Sequence, residues 1–484
     1  MSDIPANEDA LSRAEQKELP LYAGRVDVFP KAVRGTVRTF KWAILILLLG
    51  MYYVGPWFRW DRGPDAPNQA LLIDIPGRRA YFFWIEIWPQ EVYYFTGILM
   101  LGAFGLFLAT SIGGRVWCGF TCPQTVWTDL FMWVERLING DRNALIRQAK
   151  APWTAGKIAR RGATHLAWLV IALFTGGAWV MYFNDAPTLL RQFFVGEASL
   201  GVYFFTALFT ATTYLLAGLA REQLCTYMCP WPRFQGALLD EDSLVVSYQT
   251  DRGEPRGKHK KGESWEGRGD CIDCRQCVAV CPTGIDIRDG LQLECIGCGL
   301  CVDACNDIMV KVERPKGLIK FDTTRNQQLR AEGKPQTLRI IRPRTIIYVC
   351  ILTVISGLML GSLGLRDSFG VNVLHDRNPL FVKLSDGAIR NGYTVKVLNK
   401  TRDAREFDLR VEGIDGALIS AVGGDQEQAS LSLSAKPDSV ATYKVYVRRP
   451  ADAGDKTQDV TIVMTEKTSG DEIRQETVFR GPGR

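Results

Sequence analysis

Histidine is scarce: the 484 residues contain 3, His165, His259 and His375. A haem held between two imidazoles in a membrane needs two histidines there, and only His165 lies near an apolar stretch, with His259 and His375 expected in loops. A quinol oxidase carrying haem b is therefore disfavoured. Cysteine is missing after Cys350, so the tail 366–484 offers no disulfide even if it faces an oxidising compartment. No tryptophan follows Trp265, and residues 31–41 contain Lys and Arg but no acid. Charge of one sign is not in large excess either. The net +6 reflects orientation in a membrane, and no nucleic-acid partner is expected. A secretory signal is also not expected, because the first apolar stretch starts about forty residues in and no small-residue cleavage site follows it.

What is present is organised around residues 271–305. Cys271, Cys274, Cys277 and Cys281 precede Pro282, and Cys295, Cys298, Cys301 and Cys305 follow. Each quartet is C-x2-C-x2-C-x3-C, the bacterial spacing for a [4Fe–4S] cluster, in which the fourth cysteine of each run reaches the other cluster. One cluster is expected on Cys271, Cys274, Cys277 and Cys305, and a second on Cys281, Cys295, Cys298 and Cys301. Zinc also uses C-x2-C, but it takes four ligands and has no use for a third cysteine at this pitch with a crossed fourth. Asn306 stands where the first quartet has Pro282, a departure in the turn rather than in the ligand set. The segment reads as a two-cluster, one-electron carrier.

Apolar residues make up 47% of the chain and are segregated into five uncharged stretches, 42–58, 92–112, 166–183, 200–219 and 345–365. Most reach the roughly 20 residues that span a bilayer core. Trp57, Trp60, Trp84, Trp88 and Trp117 lie near their ends, as interfacial anchoring predicts. Lys and Arg number 4 in residues 31–41 and 8 in 113–164, against 4 in 59–87 and 1 in 184–199. The positive-inside bias thus places the N-terminus in the cytoplasm, with 220–344 inside and the tail outside. Thiolate-ligated clusters agree with that side. The expected organisation is a mobile cytoplasmic arm (1–41, polar to about residue 30), four spans with their loops (42–220), a cytoplasmic segment (221–344) with its ferredoxin domain at about 265–315, a fifth span (345–365) and a periplasmic domain (366–484). The loop 59–86 is expected to be short, external and rich in Pro and Gly.

The second and fourth spans both run into C-x3-C-P, at Cys118, Cys122 and Pro123 and at Cys225, Cys229 and Pro230. If the helix continues, spacing i, i+4 puts both sulfurs on one face, and the proline opens the next helix. Two copies at equivalent positions point to soft metal ligands or a redox dithiol rather than apolar packing. Four converging sulfurs suit Cu(I), another metal or disulfides, and the residues do not choose among these. Met228 is expected to pack or face lipid, and Cys350 to pack. After Pro123, residues Trp127, Leu130, Phe131, Val134 and Leu137 follow a helical period, predicting an amphipathic helix on the membrane surface.

Residues 250–270 form a Gly-rich basic stretch read as a soluble linker, with His259 solvated; Arg339, Arg342 and Arg344 mark the inner boundary of the last span. Beyond residue 365 the pattern alternates: Phe407, Leu409, Val411; Tyr443, Val445, Val447; Val460, Ile462, Met464. About seven strands, with turn signals at Asn391-Gly392 and Gly423-Gly424, predict an antiparallel sandwich without a metal site, acting as a binding or spacer domain.

With these residues in view, the chain resembles the CcoG/FixG/RdxA family, accessory proteins of cbb3-type cytochrome oxidase assembly. The resemblance rests on five spans, both C-x3-C-P motifs, DRGEPRG at 251–257, the two-cluster segment and an immunoglobulin-like C-terminal domain. It implies a bacterial inner-membrane cupric reductase that makes Cu(I) for the oxidase's copper centre. The implied partners are oxidase subunits or copper chaperones and transporters, with a cytoplasmic electron donor. Composition and spacing do not indicate copper. The C-x3-C-P pairs and quartets also resemble membrane redox relays of the NapH/NosR type, and a non-enzymatic assembly scaffold is a third reading.

Overall fold

The computed structural model describes residues 27–63, 66–260, 262–423, 427–451 and 456–483. The expected N-terminal arm up to residue 26, Lys261 of the linker and Gly424 of one turn signal lie outside the described residues. Five helical segments, Thr36–Trp57, Pro89–Gly113, Ala155–Met181, Leu200–Ala220 and Pro343–Gly364, are long and apolar enough to cross a membrane. The principal helices are α1 (Thr36–Val54), α2 (Tyr93–Gly113), α3 (Pro123–Asn139), α4 (Ala155–Met181), α5 (Leu200–Thr213), α6 (Trp231–Leu238), α7 (Leu300–Lys311) and α8 (Pro343–Gly364). The chain forms two compact units. One contains the residues up to Val54, Leu99–Met181 and Arg191–Leu352; the other contains Gly55–Ile98, Tyr182–Leu190 and Thr353 onward.

In the first unit, α1 starts at Thr36 rather than residue 42, which carries Arg38 and Lys41 into the protein. A cation taken out of water costs several kcal/mol unless it is paired. The partner is Asp129 of α3, 2.7 Å from Arg38 and 3.3 Å from Lys41. Burial pushes the Asp129 carboxyl up, but Lys41 and Arg38 together overcome this and hold it below the usual carboxylate range. Arg38 and Lys41 are therefore paired inside the protein, although the sequence around them contains no acid. Helix α3 likewise differs from expectation. Its apolar stripe packs on protein: Phe131 is fully buried and stacks on Trp168 of α4 with ring centroids 5.6 Å apart, while Val134 joins the same cluster. Trp127 packs beside them and Leu137 faces outward. His165 meets the Tyr214 hydroxyl at 2.9 Å.

The cluster-bearing segment is closed by residues outside 265–315. Strand β4 (Val245–Tyr248) pairs antiparallel with β5 (Ile319–Asp322). The N-terminus of α1 is capped from α7, where the Asp303 carboxylate accepts from the Val37 and Arg38 N–H groups at 3.2 and 2.7 Å. The basic stretch 250–270 is not a free linker: Arg252 and Arg314 both pair with buried Asp270, and His259 stacks on Trp265 at 3.9 Å. Charge pairing and ring stacking hold a segment whose composition reads as solvated.

In the second unit, the expected loop 59–86 contains a three-stranded antiparallel sheet of β1 (Leu71–Asp74), β2 (Arg79–Phe82) and β3 (Ile85–Ile87). The tail is a sandwich of nine described strands, two more than expected. They are β6 (Phe369–His375), β7 (Val382–Lys383), β8 (Ile389–Asn399), β9 (Arg405–Glu412), β10 (Leu418–Ala421), β11 (Ser430–Ala435), β12 (Ser439–Arg449), β13 (Gln458–Glu466) and β14 (Glu472–Phe479). One sheet runs β10-β12-β8-β6 with β7 also on β8; the other runs β11-β9-β13-β14. Inward residues Tyr393, Val395, Phe407, Leu409, Val445, Ile462 and Met464 form its core, each contributing about 1.5–3 kcal/mol of burial. Asn391-Gly392 is not a turn: both lie in β8, where the Asn391 side chain donates to the Arg480 carbonyl and accepts from its N–H, each at 2.8 Å. His375 is on β6 rather than in a loop.

Candidate metal centre

The two quartets fold into matching turns. Asp273 and Arg275 have positive φ (51° each), and so do their counterparts Gly297 (69°) and Gly299 (68°). The first copy tolerates side chains at these positions. The second does not, because a Cβ on Gly299 would meet the Phe321 ring at 2.7 Å and one on Gly297 would meet Arg115 at 3.0 Å. Each turn borders its own cavity. One is lined by Cys271, Cys274, Cys277 and Cys305. The other is lined by Cys281, Cys295, Cys298 and Cys301, and Cys277 lines it as well. Four sulfurs around a cage-sized space fit a cubane. Among the described residues, no three His, Cys, Asp or Glu side chains close on a single point as one metal ion would need. Burial pushes the thiols up, Cys277 to about 11 and Cys295 and Cys305 to about 12. Thiols so buried ionise only against a metal cation.

The two quartets differ in surroundings. Cys274 is exposed, and Arg275 projects into solvent with 74% of its side chain accessible. The second quartet lies against the first C-x3-C-P motif. A Cβ on Gly119 would stand 2.9 Å from the Gly297 carbonyl and 3.0 Å from the Cys298 N and Cα, so only glycine allows that approach. Arg115 clamps the junction, donating to the carbonyls of Leu293, Cys295 (2.8 Å) and Pro232 (2.8 Å).

Neither C-x3-C-P motif sits on a continuing α-helix. Helix α2 ends at Gly113, and Gly114 (φ 62°) leaves no room for a Cβ beside the Leu244 carbonyl. Wider turns follow, Trp117–Thr121 and Leu224–Met228, closed by i→i+5 bonds from the Cys122 and Cys229 N–H groups at 2.8 Å each. Pro123 opens α3, whereas Pro230 caps α6 one residue before it starts. The two motifs converge. Cys118 is buried and its thiol donates to Gln235 of α6 at 2.9 Å. Burial pushes Cys118 up to about 12, with Cys122, Cys225 and Cys229 adding to it and Arg115 opposing. Burial likewise takes Cys225 to about 12, reinforced by Cys122, Cys229 and Glu222. A pocket beside Cys225 is also lined by Glu222, Met132 and Lys41.

Met228 points outward, and Cys350 is exposed on α8 rather than packed, so neither joins the site. Sequence reasoning missed Arg115, Gly119, Asp129 and Gln235. Gly119, a glycine between two spaced cysteines, was the one visible signal; the others depend on pairings distant in sequence.

Comparison with known proteins agrees with this geometry. Residues 220–324 match a family described as a 4Fe-4S dicluster domain, 95–140 a 4Fe-4S binding domain, and 359–482 an IG-like fold at the C-terminus of FixG. The chain is 48% identical to nitrogen fixation protein FixG of Rhizobium meliloti, over 89% of this chain and 88% of that one. Against protein RdxA of Cereibacter sphaeroides it is also 48% identical, over 89% and 91%. Against RdxB of the same organism it is 45% identical, over 96% and 98%. With five apolar helices, two cysteine cages and the C-terminal sandwich in place, the chain belongs to the CcoG/FixG/RdxA family and is a membrane-associated iron–sulfur electron-transfer protein.

Proposed function

We propose that the protein is a cupric reductase of the bacterial inner membrane, converting Cu(II) to Cu(I) for the copper centre of a cbb3-type oxidase. The observation that carries this reading is the packing of the C-x3-C-P thiols against the second quartet through Gly119 and Cys298. In it, Cys271, Cys274, Cys277 and Cys305 hold one [4Fe–4S] cluster, and Cys281, Cys295, Cys298 and Cys301 hold the other. When bound, these clusters supply one-electron reducing equivalents. Cys118, Cys122, Cys225 and Cys229 bind the substrate copper ion. Cu(II) accepts one electron there and becomes Cu(I), the state soft sulfur prefers. Gln235 orients Cys118, and Arg115 holds the motif to the second quartet. The positive-inside bias supports a cytoplasmic cluster segment and a periplasmic sandwich, the domain division drawn from the sequence. The electron donor is then cytoplasmic, and oxidase subunits or copper chaperones take the product.

Anaerobically purified protein, reduced and titrated with Cu(II), is expected to yield one Cu(I) per electron withdrawn, read with a Cu(I)-specific chelator. Absence of Cu(I) while the reduced protein stays reduced would remove copper as substrate. A second reading is favoured by the 95–140 match, whose only cysteines are Cys118 and Cys122: the C-x3-C-P thiols hold iron–sulfur themselves. Iron well above about eight atoms per chain, the content of two cubanes, would select it.

A further inference from the structure

The DRGEPRG stretch at 251–257 contains no cysteine, yet it wraps the first one of the quartets. Arg252 pairs with buried Asp270, the residue before Cys271, and the Gly257 N–H donates to the Cys271 carbonyl at 3.1 Å. Gly253 admits no side chain, because a Cβ there would collide with the Tyr248 hydroxyl. Tyr248 ends β4 opposite Ile319 of β5, and both residues line the cage of Cys271, Cys274, Cys277 and Cys305. Only 5% of Tyr248 is exposed.

Its hydroxyl has one proton and two acceptors, the Glu254 Oε1 at 3.1 Å and the Cys271 sulfur. Burial keeps the phenol protonated, and Cys271 and Glu254 add to the effect, so the hydroxyl is a donor. The two acceptors differ in their access to water. Glu254 has 41% of its side chain exposed, and its other oxygen accepts from the Arg256 N–H at 2.9 Å. Cys271 is buried. Water can replace the hydroxyl at the carboxylate but not at the sulfur, so a thiolate at Cys271 draws the donor to itself. Arg288 lines the same cage, but Asp273 and Asp286 hold its guanidinium at 2.5 to 2.8 Å. The second cage has its own hydroxyl, Thr283, at 3.3 Å from the Cys281 sulfur.

A hydrogen bond to a ligand sulfur stabilises the more negative, reduced form of a cluster and raises its potential. We infer that Tyr248 is a positioned donor to the Cys271 thiolate and makes the cluster of the solvent-facing quartet easier to reduce. This rests on Cys271 being a cluster ligand, as in the proposed function. The test is an anaerobic redox titration of the full chain followed by EPR, with iron counted. Wild type is expected to hold about eight iron atoms and to give two midpoints. Tyr248→Phe keeps the ring and the iron; one midpoint should move to a more negative value while the other stays, because Thr283 is untouched. Tyr248→3-fluorotyrosine keeps a hydroxyl that donates more strongly, and it should move the same midpoint to a more positive value. A tyrosine that only packs would leave both midpoints in place. Unmoved midpoints, or equal shifts of both, overturn the inference. If Tyr248→Phe loses iron, the fluorinated protein decides by the same criterion. Wild type without cluster signals overturns the cluster assignment itself, and the inference with it.

Discussion

The two cysteine quartets share one spacing and one turn geometry but sit in different surroundings. The first uses Asp273 and Arg275 where the second uses Gly297 and Gly299: Arg275 projects into solvent and Asp273 pairs with Arg288, whereas the second turn faces Arg115 and Phe321. The first leaves Cys274 at the surface, while the second is covered by the C-x3-C-P motif. Under the proposed function, an exposed copy and a covered one give the motif a direction, with electrons arriving where Cys274 meets solvent and leaving where Cys298 meets Gly119.

The strongest way to break that comparison is to remove one cage at a time. Cys274→Ser and Cys298→Ser should each lose iron, about four atoms of about eight, and both should abolish donor-driven copper reduction. Only Cys274→Ser should leave some reduction by a small chemical reductant that bypasses the outer quartet. Equal loss in both assays would remove the directionality. Gly119→Val comes next. Its side chain meets fixed backbone at 2.9–3.0 Å, so the motif must shift. Copper reduction should fall by more than tenfold, with iron content kept and stability lowered by about 1–3 kcal/mol; wild-type turnover would show that the close approach is incidental.

Much of this was legible in sequence, and the rest was not for identifiable reasons. Spacing is local information, so the expectation of two iron–sulfur clusters on eight cysteines could be formed directly. Hydropathy gave five helices but not where the first begins, because Arg38 and Lys41 are neutralised by Asp129, 91 positions from Arg38. Asn391-Gly392 has turn composition, yet a strand keeps it because Arg480 satisfies the Asn391 amide. Composition alone cannot reveal such pairings.

The Arg38–Asp129–Lys41 cluster supports the covered side of the comparison. Asp129→Asn leaves two buried cations without an acid and should destabilise the chain by about 3–5 kcal/mol in detergent unfolding. The folded pKa of Asp129 is lowered, so its stabilisation is complete above the ordinary carboxylate value near 4 and is lost as pH falls through the folded value. Unfolding in which the variant matches wild type at neutral pH would contradict this. The smallest effect is expected on the exposed side. Arg275→Glu should change the rate of reduction by an external protein donor a few-fold, with the difference shrinking as salt rises. A salt-independent change would point to the turn rather than to docking.

The central claim is that the C-x3-C-P thiols are where copper is reduced. The most direct measurement mixes Cu(II) with the pre-reduced variant in which Cys118, Cys122, Cys225 and Cys229 are all serine, following cluster absorbance and Cu(I) together. The account predicts full cluster content, no rapid reoxidation by copper and no Cu(I). Reoxidation at the wild-type rate with stoichiometric Cu(I) would contradict it and place the reaction at the cluster cysteines themselves.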